Sequence, residues 1–140
     1  MDEYLKTGAR AQFFALSIVA SDSLHKTLGD KSRGVVVTQI VPFPWDRNIP
    51  LVREYQDLLR TKGVTDYSPT GMEGFLCAKA LVAGLQSAGK KPTREGLIQA
   101  FEGMRSADLG GMKLAFGPDD HNGSDFVEIT MIGRGGKLGR

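Results

Sequence analysis

The amino-acid sequence predicts an α/β fold, and three observations support that class. Two apolar runs, Gln12–Leu16 and Gly34–Gln39, flank a helical pattern, and such a strand–helix–strand unit favours a right-handed crossover and a parallel pair. Three amphipathic helical segments follow without a strand between them, and two strand patterns close the chain. Because a complete doubly wound domain alternates strands and helices throughout, we expect the 140 residues to form only part of a larger fold.

The strand–helix–strand unit is bounded by residues typical of helix ends. A short helix end at Asp2–Lys6 precedes the first strand. Ser21 is the predicted N-cap of the helix between the strands, and Gly29 ends that helix. The second strand is almost unbroken in apolar, β-branched residues, which indicates burial on both faces of a sheet.

Two prolines, Pro42 and Pro44, end the second strand, because neither can donate a backbone hydrogen bond to a sheet. Phe43 lies between the two prolines and Trp45 follows the second. Their rings need either neighbouring structure or a ligand to shield them from water. We therefore expect Gly34–Asp46 to be a core strand that leads into a crossover between two parts of the molecule.

Local signals bound the three helical segments. The first has Asn48 near its N-cap and ends at Gly63, and the second opens with the cap Ser68 and ends at Gly89. The third starts at Thr93. Glycines inside the second helix each lower its propensity by about 1 kcal/mol and indicate close packing against a neighbour; they are Gly71, Gly74 and Gly84.

The chain returns to strand patterns near its end. Gly111–Gly117 alternates apolar and polar residues, and Pro118–Gly123 is a turn with an Asn-Gly step. Phe126–Ile132 is the last predicted strand, and a glycine-rich, basic tail follows it.

Composition argues against several functional classes. The net charge is +2 and the 18 basic residues are scattered, which disfavours both nucleic acid and anionic lipid as partners. A single cysteine, Cys77, permits no intrachain disulfide. The first residues lack the pattern of a signal peptide, and no run of about 18 apolar residues is present, so we expect a soluble chain.

The residues that usually carry catalysis form no recognisable set. His25 and His121 are expected to be solvated, and Cys77 is expected to be a buried, inert thiol within a helix. None of them has metal-ligand spacing, so we expect neither a metal nor another cofactor. Asp119 and Asp120 are adjacent in a turn and point in different directions. We therefore expect no catalytic residue and no enzyme activity.

Two further features approach known motifs without meeting their requirements. Ser17 lies outside any Gly-x-Ser-x-Gly frame, so it is not expected to be a nucleophile. Gly133–Gly136 is similar to a glycine-rich phosphate loop, but no helical pattern follows it.

Two positions remain as candidates for ligand binding. Ser17 follows the first strand, and open α/β sheets bind ligands beyond the carboxyl ends of their strands. The alternative is a serine that only initiates the turn. The second candidate is Gln39 with the aromatic pair Phe43 and Trp45, and the alternative there is a linker whose rings pack on neighbouring structure.

Six segments in chain order carry a family resemblance: Gln12–Ser17, Leu28–Asp30, Gly34–Asp46, Val52–Tyr55, Tyr67–Gly74 and Phe116–Ser124. The series closely resembles the C-terminal third of type I periplasmic binding proteins, in the branch that serves ABC transporters for branched-chain amino acids and related small carboxylates or amides. These proteins have two Rossmann-like α/β lobes joined by three crossovers, and they close on a ligand by a hinge motion. The resemblance implies an α/β fold that is the C-terminal fragment of such a protein.

The resemblance also implies a domain organisation. The segments would be part of the second lobe (1–40), an interlobe crossover (41–47), helices and a strand of the first lobe (48–117), and a return strand and tail of the second lobe (118–140). Val41, Pro42 and Pro44 would form the hinge.

The ligand site that the resemblance implies consists of Ser17, Gln39, Phe43, Trp45 and Tyr67. In amino-acid-binding members, an acidic residue at the position of Ser17 can hold the ammonium group of the ligand. Because this chain has a serine there, aromatic and aliphatic acids join the branched-chain amino acids and amides as candidate ligands.

The function implied by the resemblance is that of a non-enzymatic solute-binding protein, periplasmic in its full-length form, with a small-molecule ligand and an ABC transporter permease as partners. The alternative is a ligand-sensing module of a receptor or regulator with the same fold. An enzyme remnant is disfavoured because the chain lacks a Gly-x-Gly-x-x-Gly motif. Since half of two lobes would be missing, the three helices would expose their apolar stripes, and we also expect self-association, with exchange of segments between copies.

Overall fold

The computed structural model describes residues 1–19 and 21–140, leaving out the side chains of Asp2, Leu5, Ser21 and Asp22. It divides the chain into two compact units. The sheet unit comprises Met1–Ile40 and Val127–Arg140, and the helical unit comprises Val41–Phe126. The predicted α/β fold is confirmed.

The helices and strands, in chain order, are α1 (Asp2–Lys6), β1 (Phe14–Leu16), α2 (Ser21–Leu28), β2 (Val36–Gln39), α3 (Pro50–Thr61), α4 (Pro69–Ala88), α5 (Arg94–Glu102), β3 (Ala107–Asp108), β4 (Lys113–Leu114), β5 (Glu128–Ile132) and β6 (Leu138–Gly139). The first 3₁₀ helix spans Gly29–Ser32 and the second spans Arg134–Gly136. Among the described residues, no helix combines the length and the apolar character that a membrane span requires.

The sheet unit is built on four strands in the order β1-β2-β5-β6. β1 and β2 are parallel, as the strand–helix–strand pattern predicts, whereas β5 pairs antiparallel with β2 and β6 with β5. The basic tail was not predicted to form a strand. Gly135 and Gly136 adopt positive φ angles of 64° and 77°, which turn the chain back so that Leu138 pairs with Ile132.

The two faces of this sheet differ in burial. Val35, Val37 and Ile132 form a small core on one face, together with Phe13 and Leu24. The opposite face, which we call the open sheet face, follows the alternate residues of each strand. It carries Phe14, Leu16, Ile129 and Met131, which are 71%, 67%, 65% and 49% exposed, around the buried Val36.

The core of the helical unit lies between α3, α4 and the β3–β4 hairpin. Its fully buried centre contains Leu51, Val52 and Met72, and Val41 and Leu114 pack against them. The apolar stripe that predicted α3 therefore faces α4 and the hairpin, which buries it from water.

The predicted cap of α4 is confirmed, and α5 has a side-chain cap at its predicted start. The Ser68 hydroxyl accepts a hydrogen bond from the Gly71 amide at 3.0 Å, and the Thr93 hydroxyl accepts one from the Gly96 amide at 3.0 Å. At α3, the N-cap is Ile49, the residue after Asn48, and no side chain caps the helix. The predicted cap role of Ser21 lies outside the described side chains.

Residues 118–126, which the resemblance assigned to the return segment, lie within the helical unit. The Ala115 amide donates to the Gly123 carbonyl at 2.9 Å, which closes the Asn-Gly turn back on the preceding strand. Phe126 then packs against the helical core. The chain therefore leaves this unit only at Val127.

The glycines of α4 have different surroundings, so alanine substitutions at two of them should change the free energy of unfolding in opposite directions. A Cβ added at Gly84 would lie 2.5 Å from the Phe101 ring, whereas a Cβ at Gly74 meets no atom within 4 Å. We expect Gly84→Ala to lower the free energy of unfolding by about 1 kcal/mol, because the packing clash outweighs the gain in helix propensity. Gly74→Ala should raise it by up to about 1 kcal/mol. Urea denaturation of both variants measures this, and equal shifts would contradict the packing role of Gly84.

Candidate functional site

Ser17 and Gln39 lie at the same edge of the sheet unit. Leu16 is the register partner of Thr38 in the parallel pair, so β1 and β2 end together. Ser17 is half-buried and follows in a turn, in which the Val19 amide donates to the Leu16 carbonyl at 2.9 Å. The structure thus places Ser17 beyond the carboxyl end of β1, at the position where sheets of this kind bind ligands.

The Gln39 side chain is engaged within the sheet unit. It is 3% exposed, and its Nε2 donates to Thr130 Oγ1 at 3.3 Å. The Thr130 hydroxyl, which is 1% exposed, donates in turn to the Val37 carbonyl at 2.9 Å. The amide of Gln39 therefore satisfies a buried polar network across β2 and β5, and in this arrangement it holds the strands together.

The segment that follows β2 belongs to the helical unit. Val41 is 2% exposed and Pro42 and Pro44 are fully buried, so the three predicted hinge residues pack in the interior of that unit. The rings of Phe43 and Trp45 lie 4.9 Å apart at an angle of 53°, and Trp45 is 42% exposed. The two rings therefore lie together, with Trp45 at the surface of the helical unit.

Polar contacts fasten this segment to α3. The buried Gln56 donates from Nε2 to the Pro44 carbonyl at 2.8 Å and accepts from Arg47 Nη1 at 2.9 Å. Asp46 Oδ1 accepts from the Asn48 amide at 3.0 Å and so shapes the turn into the helix. Sequence analysis missed Gln56. The one signal for its role was its position one helical turn after Val52, next to the apolar stripe of α3.

Tyr67, the remaining predicted site residue, precedes α4. Its hydroxyl accepts from Arg60 Nε at 3.1 Å, and its ring lies 6.0 Å from the ring of the buried Tyr55. Tyr67 is half-buried and is positioned by α3. Within the helical unit it therefore shares a supporting helix with the Pro42–Trp45 segment.

A charged turn supports the start of α3. Asp108 Oδ1 accepts from the amides of Gly111 at 2.7 Å and Gly110 at 2.8 Å, and the Gly110 carbonyl accepts from the Leu51 amide at 2.8 Å. The hydrogen bond from Gly111, followed by that from Gly110, lowers the pKa of Asp108 below its usual value. The carboxylate thereby orders the glycines that satisfy a free amide at the helix N-terminus.

The lowered pKa of Asp108 predicts a pH-dependent contribution to stability. Its carboxylate stabilises the folded state above the unfolded pKa of about 3.9, and that contribution is lost as the pH falls through the lower folded pKa. We expect Asp108→Asn to lower the urea midpoint at pH 7 and to converge with the unmodified chain below about pH 4. Asp66→Asn, at an exposed loop position, is the control. An unchanged midpoint for Asp108→Asn at pH 7 would contradict this role.

The predictions for the histidines and the cysteine have mixed outcomes. His121 is exposed and lies 3.2 Å from Glu102. His25 is partly buried, and its Nδ1 lies 3.1 Å from Ser32 Oγ, so the prediction of a solvated residue was wrong. Cys77 is exposed, so the prediction of a buried thiol was also wrong.

Cys77 lies on α4 with its thiol exposed. It lines an apolar groove of about 380 Å³ with Leu81, Ile98 and Phe101. Within the described residues, no group of three or more His, Cys, Asp and Glu side chains could hold a metal ion.

Comparison with known proteins places these features in a family. A family model described as periplasmic binding protein matches residues 1–137. No curated protein sequence matches the chain.

Three solved structures are similar to the chain. The structure of a possible leucine/isoleucine/valine-binding protein from Rhodopirellula baltica SH 1 is 33% identical, with a TM-score of 0.86, over 99% of this chain and 37% of that chain. A substrate-binding periplasmic protein from Ralstonia solanacearum is 31% identical, with a TM-score of 0.83, over 97% of this chain and 40% of that chain. An extracellular ligand-binding receptor from Verminephrobacter eiseniae ef01-2 is 28% identical, with a TM-score of 0.79, over 92% and 37%. The chain therefore spans 37% to 40% of the length of these proteins.

Proposed function

This chain belongs to the type I periplasmic binding protein family, and we propose that it forms part of an extracytoplasmic protein that captures a small molecule for uptake by an ABC transporter. The observation that carries this proposal is the family match over residues 1–137. Periplasmic binding proteins bind and deliver solutes, so the permease of such a transporter is the proposed protein partner.

The proposed organisation follows the two units. We assign the sheet unit to the second lobe and the helical unit to the first lobe, with Val41, Pro42 and Pro44 as the hinge. The change of unit at Ile40 and Val41 supports this assignment. In this proposal the fixed contacts of Gln56 keep the crossover segment attached to the first lobe when the hinge moves.

The proposed ligand is a branched-chain amino acid or a related amide, aliphatic acid or aromatic acid. Ser17 would offer its hydroxyl to the ligand, and Phe43, Trp45 and Tyr67 would supply apolar walls. Gln39 would act at the same sheet edge, and its bond to Thr130 gives it a supporting role there. Aromatic walls with few polar groups are typical of sites for small organic ligands.

Isothermal titration of the full-length protein tests the proposed function. The panel contains branched-chain amino acids, their amides, short aliphatic acids and aromatic acids. We expect saturable binding to at least one class. An absence of binding across the whole panel would overturn the proposal.

Variants at Ser17 test the assignment of the site. Ser17→Ala should weaken binding by up to about tenfold, because one hydrogen bond to the ligand is lost. Ser17→Asp should shift preference toward ligands that carry an ammonium group. Ser23→Ala, at an exposed position on α2, is the matched control. Equal affinities for all four proteins would exclude Ser17 from the site.

A ligand-sensing module is the second candidate function. It is favoured by the similarity to the structure described as an extracellular ligand-binding receptor, at 28% identity. Both candidate functions include binding of a small-molecule ligand, but only transport requires a permease. Vesicles that contain the permease and ATPase of the proposed transporter should import the ligand only with the full-length protein. Absence of import alongside tight binding would favour the sensor.

We also propose that copies of this chain associate through the open sheet face. The partner is a second copy, because two apolar sheet faces of the same shape can stack in a symmetric, self-complementary contact. Contiguous exposed apolar surface of this kind favours association. Leu16→Asp with Ile129→Asp should give a monomer by light scattering at tens of micromolar, whereas Leu58→Asp, at a half-exposed position on α3, should not. A monomeric unmodified chain would contradict the proposal.

A further inference from the structure

The predicted site residues of the helical unit that carry aromatic rings are Phe43, Trp45 and Tyr67, and we call them the aromatic wall. Phe43 and Trp45 flank Pro44, and their rings lie 4.9 Å apart. Tyr67 lies in another part of the chain, just before α4. A ligand that contacts all three rings therefore requires these two chain segments to keep a fixed spacing.

Both segments are hydrogen-bonded to the same helix, α3. Gln56 is 3% exposed, and its Nε2 donates to the Pro44 carbonyl at 2.8 Å. Arg60 Nε donates to the Tyr67 hydroxyl at 3.1 Å. Because Gln56 and Arg60 have the i, i+4 spacing, they are neighbours on one face of α3, one turn apart. The helix thereby sets the spacing between the two segments.

Asp57 joins these two attachment points. Its Oδ1 accepts from Nη1 and Nη2 of Arg47, both at 3.2 Å, and from Arg60 Nη1 at 3.4 Å. Arg47 Nη1 also donates to Gln56 Oε1 at 2.9 Å. One carboxylate oxygen therefore links two arginines, and hydrogen bonds continue without a break from the Pro42–Trp45 segment to the Tyr67 hydroxyl.

The exposure of these charged groups favours a positional role over a stabilising one. The side chains of Arg47, Asp57 and Arg60 are 41% to 58% exposed, and ion pairs at this level of exposure contribute little to stability. A carboxylate oxygen that accepts from two guanidinium groups nevertheless restricts both long side chains to one arrangement. Since those side chains are bonded to Gln56 and to Tyr67, Asp57 also restricts the two segments of the aromatic wall.

We propose that Asp57 is a positioning residue of the ligand site, which holds Arg47 and Arg60 together and so keeps the Pro42–Trp45 segment and Tyr67 at the spacing that the ligand requires. This inference rests on the proposed ligand capture, and it adds a residue that acts through its neighbours rather than by touching the ligand. A wall that is ordered before binding loses less conformational entropy when the ligand arrives. Loss of the Asp57 carboxylate should therefore weaken ligand affinity while the fold is retained.

Ligand titration and tryptophan fluorescence of matched variants test the proposal. Asp57→Ala removes the shared carboxylate, and Asp57→Glu keeps it. Glu54→Ala is the control, because Glu54 lies on the same helix and its ion pair with Lys79 joins α3 to α4 without a residue of the aromatic wall.

Two measurements are made on each protein. L-leucine, L-leucinamide, isovalerate and phenylacetate, one from each proposed ligand class, are titrated into the full-length protein. Acrylamide quenching of Trp45, the only tryptophan of the 140-residue chain, reports on the Pro42–Trp45 segment without any ligand. The second measurement therefore does not depend on the proposed function.

We expect Asp57→Ala to weaken binding of the probe that the unmodified protein binds by roughly three- to tenfold, because the ligand must then order the arginines and the segments that they hold. Asp57→Glu and Glu54→Ala should bind within about twofold of the unmodified protein. Acrylamide should quench Trp45 faster in Asp57→Ala than in the other proteins. The urea midpoints of Asp57→Ala and Glu54→Ala should agree.

Equal affinity and equal quenching for Asp57→Ala and Glu54→Ala would overturn the proposal. So would a lower urea midpoint for Asp57→Ala than for Glu54→Ala, which would show that Asp57 has only a structural role. Absence of binding by the unmodified protein is a different result, because it would overturn the proposed function itself. The quenching of Trp45 would then decide by itself whether Asp57 holds the segment in place.

Discussion

Leu51→Ala is expected to lower the free energy of unfolding of the helical unit by about 3 kcal/mol. Leu51 is completely buried near the start of α3, between Val41, Met72 and the β3–β4 hairpin. Truncation removes apolar contacts and leaves a cavity that the surrounding helices cannot fill without moving. This is the largest effect that we expect from a single substitution in the unit.

Trp45, the only tryptophan, reports on this unit, so its fluorescence during urea denaturation measures the loss. Leu58→Ala is the matched control, because Leu58 lies on the same helix but is 50% exposed. The control should shift the free energy by less than about 0.5 kcal/mol. Similar losses in both variants would show that the described core of the helical unit is wrong.

Thr130→Val is expected to destabilise the sheet unit by about 2 kcal/mol. The substitution removes the hydroxyl that accepts from Gln39 and donates to the Val37 carbonyl, and it leaves the Gln39 amide buried without that partner. Hydrogen–deuterium exchange of peptides that contain β2 and β5 measures the local loss, because these strands are paired across the network.

The double variant Gln39→Leu with Thr130→Val separates a buried polar penalty from a simple packing effect. Once both polar partners are replaced, no unsatisfied amide remains, so the double variant should be more stable than Thr130→Val alone. A double variant that is less stable than either single variant would show that Gln39 contributes to the sheet by packing rather than by hydrogen bonding. The Gln39 amide would then be available for contacts other than the hydrogen bond to Thr130.

Local signals were sufficient for much of the fold. Ser68 was recognised as a cap because a hydroxyl before a helix can satisfy a free amide only a few residues later. β2 was recognised from an apolar, β-branched run, and β1 from a short apolar run on the other side of a helical pattern. These features depend on neighbours in sequence, so the sequence alone determines them.

Features that depend on distant pairing could not be predicted in the same way. The tail forms β6 only because β5 offers it a partner, and nothing in a glycine-rich, basic stretch indicates a strand. Residues 118–126 stay with the helical unit because the Gly123 carbonyl finds the Ala115 amide and Phe126 finds the helical core. In each case a tertiary contact decides the assignment.

The candidate site was predictable in position but not in orientation. The location of Ser17 at a strand end follows from the strand itself. The inward direction of Gln39 follows from its register with β5, about 90 residues later in the chain. Cys77 illustrates the same limit, because α4 is apolar over most of its circumference and its sequence does not show which stripe faces the rest of the unit.

The sheet unit is interrupted in sequence, since the whole segment Val41–Phe126 is inserted between two residues, Gln39 and Glu128, that are register partners. This arrangement constrains the order of folding. Pairing β2 with β5 across an unstructured chain of that length carries a substantial loop-closure cost and is slow. If the inserted segment collapses first, its compact form shortens the loop and brings the strands together. During synthesis β2 therefore remains without its partner on one side until β5 has emerged.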